Sequence, residues 1–290
     1  MLAPIEIDTR TFLREHFALP ALPEVVTKIQ ALIQDDKADT KTLAELISGD
    51  SAILGQVLKI VNSAYYGLPK EVTNVQFAVA YLGLNEIYRV VLCVSVINAL
   101  AIDKKDELNE LWFHSFYAAL CTKYLAKRFE PHLSLEELWS AAMLHDIGKL
   151  VYMKFFPDHY AALKAFSKEQ GCLFSEAEKH FSLPSSAFFG TLLCDHWRLP
   201  DEIRRACECH TLEDIAAMRA DSSPRPFQRM ICLGNLLTVL STNDLSNNKK
   251  QAIADASRSA LNQTEKEFLV MMGDIYDLRA DVEQFLEKLG

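Results

Sequence analysis

Residues 144–150 of this 290-residue chain are Leu-His-Asp-Ile-Gly-Lys-Leu, and no other stretch carries as much chemical information. It places the imidazole of His145 next to the carboxylate of Asp146, among apolar neighbours, with Lys149 three positions after the aspartate. Such a pair has two interpretations: a buried hydrogen-bonded pair, or half of a site for a divalent cation. The dipeptide alone favours the buried pair, so the cation site needs support from other helices.

Helical periodicity extends from this stretch toward the N-terminus. Ser134 and Glu137 have the spacing of a capping box before the next apolar run, and residues 108–124 predict a long helix with His114 in its middle. Residues 86–100 are too apolar for a surface helix and predict a buried one. Further upstream we predict three helices, which begin near Pro23, at a capping box of Thr42 and Glu45, and after Asp50. A loop is predicted at residues 62–70. It is followed by a short helix that begins at Thr73 or Asn74 and ends at Leu82, before Gly83.

The same pattern continues toward the C-terminus. Ser175 and Glu178 have the spacing of another capping box, and Pro200 is expected to start a helix that runs through His210. Residues 221–226 predict a loop, and residues 264–289 a final helix. The sequence therefore predicts an all-α protein of two packed helical lobes, with boundaries at 1–102 for the first lobe, 103–240 for the second and 241–290 for a C-terminal helical extension.

Composition limits the partners of this helical protein. The formal net charge is −9 and the pI is about 5.4, so no global field attracts nucleic-acid phosphates. No window approaches about 18 uninterrupted apolar residues, the length of a membrane-spanning helix. Residues 1–14 lack the basic-then-apolar order of a signal peptide. We therefore expect a soluble, cytoplasmic protein that contacts neither nucleic acid nor a membrane.

The cysteines and tyrosines are interpreted mainly as packing residues. The seven cysteines are scattered without a C-x-x-C pair, which indicates reduced thiols used as small apolar side chains. A soft metal could bind to a group of residues on two consecutive helices: Cys194, Asp195 and His196 on the first, and Cys207, Cys209 and His210 on the second. These residues lack the spacing of a structural zinc site. Tyr65, Tyr66 and Tyr81 could line a ligand groove, although packing is the favoured interpretation.

A family resemblance changes the interpretation of the His–Asp pair. His145-Asp146 with an upstream helical His114 resembles the HD superfamily of helical metal-dependent phosphohydrolases. Further segments in one order resemble the HDOD (HD-related output domain) family within it: Leu22-Pro23, Asp50-Ser51-Ala52, 62–67, 78–83, 111–115, 144–150, Phe156-Pro157 and 197–200. The similarity covers roughly residues 19–240. It implies an all-helical fold with an HD-like second lobe, and a regulatory or signalling role in bacteria, often without demonstrated hydrolysis.

The resemblance also implies a ligand set, from which this chain departs. His114, His145 and Asp146 match it, but Asn235 stands where a later aspartate is expected. Ser186 and Cys209 replace two histidines of the two-metal relatives, so that His210 alone remains of a His–His pair. We therefore predict no catalytic two-metal centre. One divalent metal ion could be held weakly by His114, His145 and Asp146, assisted by Asn235 or His210, with Lys149 as a phosphate contact.

Three functions follow from these residues. The first is a catalytically degenerate signalling protein that binds or docks to an unidentified signalling partner, with a homo-oligomer as a further option. The alternative is a metal-dependent phosphohydrolase, either a phosphomonoesterase or a cyclic-nucleotide phosphodiesterase, that uses His145 and Asp146. A metal or redox sensor based on the cysteine-rich segment ranks third.

Overall fold

The structure is a computed structural model that describes residues 19–34, 39–63, 66–220 and 225–289. These residues form α-helices joined by turns and loops, and no β-strand occurs among them, so the predicted all-α class is confirmed. The helices are α1 (Glu24–Gln34), α2 (Thr40–Ser48), α3 (Ser51–Val61), α4 (Val75–Leu82), α5 (Leu84–Asn98), α6 (Lys105–Phe129), α7 (Leu135–Leu144), α8 (Gly148–Phe155), α9 (Pro157–Gln170), α10 (Phe174–His180), α11 (Ser186–Trp197), α12 (Asp201–Glu208), α13 (Leu212–Ala220), α14 (Pro226–Thr242), α15 (Asn247–Ala260) and α16 (Glu265–Leu289).

Two compact units divide the described residues. One contains residues 20–101 together with the end of α16 from residue 280, and the other contains residues 102–279. In the first unit, α1 and α3 pack on the apolar helix α5, and α2 packs on α4. In the second, α6 packs on α7 and α14, and α11 packs on α8 and α12. None of the helices in the described ranges is both long and apolar enough to cross a membrane.

Several helix starts follow the predicted capping chemistry. The Asn74 carboxamide accepts a hydrogen bond from the backbone N–H of Gln76 at 2.7 Å, and α4 ends before Gly83, whose φ of +89° suits a residue without a Cβ. Ser134 accepts from the N–H of Glu137 at 3.2 Å and starts α7. The buried apolar helix predicted at residues 86–100 is confirmed as α5.

Two predicted capping boxes are wrong. The residue that caps α2 is Asp39, whose carboxylate accepts from Thr42 N at 2.8 Å, so Thr42 lies inside the helix. Helix α10 begins at Phe174, where the Glu176 carboxylate accepts from the N–H of Leu173 at 2.9 Å. In both places a nearby carboxylate accepts from a free backbone N–H group of the first turn. Sequence spacing alone does not show which of the neighbouring polar side chains makes that hydrogen bond.

The helix predicted from Pro200 through His210 is shorter than expected. It ends at Glu208 because the Asp214 carboxylate accepts from the backbone N–H groups of both His210 and Thr211, at 3.0 and 2.7 Å, and so starts α13. Tyr81 is also placed differently from the packing prediction: its side chain is 58% exposed and stacks on Phe77.

Some sequence predictions concern residues outside the described ranges. These are the N-terminal segment through residue 18, Tyr65, and most of the loop predicted at residues 221–226.

Helices α8 and α11 approach each other closely directly after the His–Asp stretch. Gly148 starts α8, and a Cβ added there would lie 1.8 Å from the carbonyl oxygen of Ser186 and 2.6 Å from the backbone nitrogen of Gly190. Both neighbours are backbone atoms of α11, so they cannot move aside as a flexible side chain would. Glycine at 148 therefore fixes α8 against α11, directly after the His145–Asp146 pair.

We expect Gly148→Ala to destabilise the protein by at least about 2 kcal/mol, because the added methyl group forces the two helices apart. Gly273→Ala is the matched control, since a Cβ at this position in α16 meets nothing within 4 Å, and it should stabilise by about 0.5–1 kcal/mol through helix propensity. Urea denaturation followed by circular dichroism measures both. Equal stability of the two variants would contradict the close approach.

Candidate metal centre

Four structural elements bring the predicted site residues together. His114 lies in the middle of α6, and His145 and Asp146 form the turn between α7 and α8. His210 follows the end of α12, and Asn235 lies in the buried centre of α14. All five are in the unit of residues 102–279. The sequence places them far apart along the chain, and the packing of α6 against α7 and α14 makes them neighbours.

The His–His–Asp cluster, defined as His114, His145 and Asp146, is the tightest group. The Nε2 atoms of the two histidines lie 3.3 Å apart, and they lie 3.2 and 3.5 Å from Asp146 Oδ2. In the described part of the chain, it is the one group of three or more histidine, cysteine or acidic side chains whose donor atoms fall within 4.8 Å of one another. The three residues predicted as core ligands therefore do meet at one point.

These separations suit a single divalent cation. Donors about 2.1 Å from one ion lie about 3.0–3.4 Å from each other at octahedral or tetrahedral angles. The three donor separations of the cluster, 3.2–3.5 Å, agree with that range to about 0.1 Å. Two imidazole nitrogens and one carboxylate oxygen are also a donor set that first-row divalent metals accept.

Backbone carbonyls orient two of the imidazoles. The Nδ1–H of His145 donates to the carbonyl of Ala142 at 2.7 Å, and that of His210 donates to the carbonyl of Ala206 at 3.2 Å. In each ring the Nε2 lone pair therefore faces inward, toward Asp146. Burial lowers the pKa of His145 to about 3, so its imidazole stays neutral and retains that lone pair.

His210 approaches the other oxygen of the same carboxylate. Its Nε2 lies 3.5 Å from Asp146 Oδ1, and its ring centroid lies 5.3 Å from that of His145. Although His210 lies beyond the end of α12, in a stretch predicted as helix, the turn before α13 still presents its ring to the cluster. It is a neighbour of the three-donor cluster, at a greater distance from the shared point.

Asn235 offers an oxygen without charge. Its Nδ2 donates to the carbonyl of His210 at 2.7 Å, and this bond fixes which way the amide points. Its Oδ1 is buried and accepts no hydrogen bond from any described residue. Asn235, Asp146, His210 and Ser186 line one small cavity of about 50 Å³, so the free oxygen belongs to the same pocket as the carboxylate. A buried acceptor without a donor is the feature that a cation would satisfy.

Lys149 already neutralises the carboxylate. Its Nζ lies 2.5 Å from Asp146 Oδ2, the oxygen that both cluster histidines face. Burial alone would raise the pKa of Asp146, which is only 3% exposed, but the Lys149 ammonium and a hydrogen bond from His114 hold that pKa well below its usual range. Asp146 is therefore ionised, and a metal ion would compete with the lysine for it.

A second metal ion lacks ligands. Ser186 and Cys209 occupy the positions where histidines are expected, and Asp146 is the only carboxylate in the cluster. The Ser186 backbone N–H instead donates to Glu178 Oε1 at 2.7 Å. The described residues thus fit one cation and do not fit a two-metal centre, which requires bridging anionic ligands.

Glu178 is a buried acid that sequence reasoning assigned to a helix cap. It is 2% exposed, and burial raises its pKa to about 7, although bonds from Ser186 and the charge of Lys149 act in the opposite direction. The sequence pattern marks this residue as a helix start and not as a buried acid, because its burial depends on how α10 and α11 meet.

Five of the seven cysteines are buried, as expected for small apolar side chains, whereas Cys172 and Cys209 are half-buried. Cys194 and Cys207 are buried with their sulfurs 3.9 Å apart. The hydrogen bond with Cys194 and burial raise the pKa of Cys207 well above its usual range, so it stays a thiol. Neutral buried thiols are poor metal ligands, which weakens the sensor hypothesis.

The helical fold and this cluster define a protein of the HD type. Within that class, the chain belongs to the HDOD domain family, whose profile matches residues 19–212. The resemblance predicted from the sequence is therefore confirmed.

Individual relatives are distant. An uncharacterised protein of Treponema pallidum (strain Nichols) is 24% identical over 192 residues, which are 66% of this chain and 37% of that protein. A candidate phosphohydrolase from Shewanella amazonensis SB2B has a similar structure, with a TM-score of 0.69, 19% identity and coverage of 94% of this chain and 95% of that one. A candidate signal transduction protein from Marinobacter aquaeolei VT8 is also similar in structure, with a TM-score of 0.68 and 19% identity. The similarity covers 93% of this chain and 59% of that one. At this identity the two structures establish the fold.

Glu178 gives a test of the pocket's electrostatics. Its pKa is about 7 in the folded protein and 4.5 in the unfolded chain, so the folded state holds the extra proton between these values. Stability therefore falls as pH rises through this window, by about 2–3 kcal/mol. Glu178→Gln should remove that contribution.

The measurement compares the free energy of unfolding of wild type and variant from pH 4.5 to pH 7.5, with EDTA present. Their difference should change across the window. Glu169→Gln, the same substitution at the exposed end of α9, is the matched control for the loss of one carboxylate. A pH-independent effect of Glu178→Gln would show that the buried acid does not titrate there.

Proposed function

We propose that this chain is a non-hydrolytic signalling domain, which acts by binding a partner protein and not by turning over a substrate. The observation that carries the proposal is the charge of the His–His–Asp cluster. Asp146 is its only carboxylate, and Lys149 lies 2.5 Å from it. A site that starts electrically balanced gains less from a dication than one with two or three free carboxylates.

A single metal ion remains part of this proposal. His114, His145 and Asp146 would hold it, with the free Oδ1 of Asn235 within the same pocket. A cation bound at such a site polarises a coordinated water or a phosphoryl oxygen. The chain's own residues oppose that use: Asn235 brings no negative charge, and Lys149 competes for Asp146. We therefore infer a weakly held ion that stabilises the pocket.

The family membership supports a signalling role, and so does the name of one similar structure, a candidate signal transduction protein. The partner would be another signalling protein, and a second copy of this chain is a further option. The Treponema relative is longer than this chain, which spans 37% of its length. In a larger protein, such a domain could receive its input from the remaining segments.

A phosphohydrolase is the second candidate, and one observation favours it. The three donor separations of 3.2–3.5 Å match those around one catalytic ion, and Lys149 lies where it could contact a substrate phosphate. The similar Shewanella structure is described as a candidate phosphohydrolase. This reading needs Lys149 to leave Asp146 when metal and substrate bind.

The missing charge can be restored by Asn235→Asp. We expect this variant to bind Mn²⁺ at least about tenfold more tightly than wild type, because an anionic ligand replaces a neutral one in a buried site. Asn247→Asp adds the same charge at the start of α15 and should leave the affinity unchanged. Isothermal titration calorimetry measures both. Unchanged affinity in Asn235→Asp would place residue 235 outside the metal site.

Hydrolysis separates the two candidate functions. Wild type with added Mn²⁺ should not cleave p-nitrophenyl phosphate or bis(p-nitrophenyl) phosphate above the rate of the Asp146→Asn variant, and metal analysis should find at most one ion per chain. Turnover that is lost in Asp146→Asn, or two ions per chain, would overturn the non-hydrolytic proposal in favour of the enzyme. His159→Ala, which changes a histidine on α9, is the control for metal content.

A further inference from the structure

A cleft of about 540 Å³ lies within the unit of residues 102–279. We call it the α9 cleft and define it by six of its lining residues: Phe113, Tyr160, Lys164, Lys168, Phe174 and Arg279. His114 and Lys149 also line it, so it opens beside the metal centre. Its volume is in the range of sites for small molecules, about 300–1,000 Å³.

The α9 cleft is basic although the protein is acidic. Four cationic side chains and two carboxylates line it, and after Lys149 is paired with Asp146 behind the cleft one positive charge remains in excess, whereas the whole chain has a net charge of −9. Helix α9 supplies three donors, Tyr160, Lys164 and Lys168, at spacings of four residues, which places them on one face. Lys164 pairs with Glu110, but Lys168 is exposed and has no ion pair with any described residue. This local reversal of charge favours an anionic ligand.

Three of the cations lie beside aromatic rings of the same cleft. Lys149 Nζ is 5.1 Å from the centroid of Phe174, and Lys164 Nζ is 5.6 Å from that of Tyr160. The Arg279 guanidinium is 5.9 Å from the centroid of Phe113. Each pair offers a positive charge next to an apolar ring. A ligand that has an anionic group attached to a planar ring can use both.

The hydroxyl of Tyr160 is a free donor. The residue is 5% exposed and lines the cleft, yet its hydroxyl makes no hydrogen bond with the described residues. Burial, together with the nearby Glu110 and Glu107, raises its pKa, so the hydroxyl keeps its proton at neutral pH. A hydroxyl that lines a cleft and has no acceptor among the described residues is available to donate to a ligand oxygen.

We propose that the α9 cleft binds a small phosphate ester of a ring-bearing alcohol, of the nucleoside monophosphate class. Lys164, Lys168 and the Tyr160 hydroxyl contact the phosphate, and Phe113 and Phe174 contact the ring. The inference rests on the proposed function for one point only, namely that the ligand stays intact. A bound ligand would cover the part of the cleft that His114 and Lys149 line. Ligand binding would therefore limit access to the metal pocket.

Calorimetric titration with the four ribonucleoside 5′-monophosphates, in EDTA, tests the binding. At least one should bind with a Kd below about 1 mM. Ribose 5-phosphate, which lacks the ring, and the matching nucleoside, which lacks the phosphate, should each bind at least tenfold more weakly. Equal binding of ribose 5-phosphate would remove the role of the rings, and no binding by any of the four would overturn the proposal.

Variants locate the site. Tyr160→Phe removes one oxygen, and Lys168→Gln removes one charge, and each should weaken binding about tenfold. Lys179→Gln, an equal charge change on α10 outside the cleft, should have no effect. Circular dichroism verifies that every variant is folded. Full affinity in both cleft variants would overturn the assignment of the site.

The same samples separate this inference from the proposed function. Release of inorganic phosphate from a bound nucleotide in the presence of Mn²⁺ would overturn the non-hydrolytic function and leave the binding site in place. Absence of nucleotide binding, with no hydrolysis, would overturn the binding site and leave the function unaffected.

Discussion

The burial of one negative charge organises the centre of this protein. Asp146 is 3% exposed, and an uncompensated carboxylate at that depth would cost several kcal/mol. Lys149 supplies the opposing charge, and His114, His145 and His210 surround both carboxylate oxygens. The turn that carries Asp146 is in turn fixed by Gly148, where α8 and α11 approach too closely for any side chain. The packing and the electrostatics of the site therefore depend on the same few residues.

This constraint explains how one site can resemble an enzyme and yet suit a regulatory role. The donors that face each other match part of the ligand set that the family resemblance implies, but the one carboxylate that would hold an ion is shared with an internal lysine. The same arrangement leaves His114 and Lys149 at the edge of a basic, aromatic cleft. In the functions proposed for this chain, the metal pocket and the ligand cleft act together as one binding surface.

Sequence reasoning located the helices better than their ends. The apolar run that became α5 and the Asn74 cap of α4 depend on contacts within a few residues, and both were predictable. The errors at Thr42 and at Ser175 arose where several polar side chains competed for the same backbone N–H groups. The end of α12 depended on Asp214, which lies four residues after His210. The apolar periodicity of α12 does not indicate this hydrogen bond, so the end of the helix was not predictable from it.

By itself, the sequence determined the all-α class, the family and the three residues that meet in the His–His–Asp cluster, because periodicity and motif order are properties of the chain. Only the tertiary structure decided that Lys149 pairs with Asp146, that Asn235 Oδ1 has no donor among the described residues, and that Glu178 is buried beside Ser186. These properties depend on distances of a few ångströms between helices that are remote in sequence. Charge compensation, burial and cleft shape are set by packing, and no local pattern encodes them.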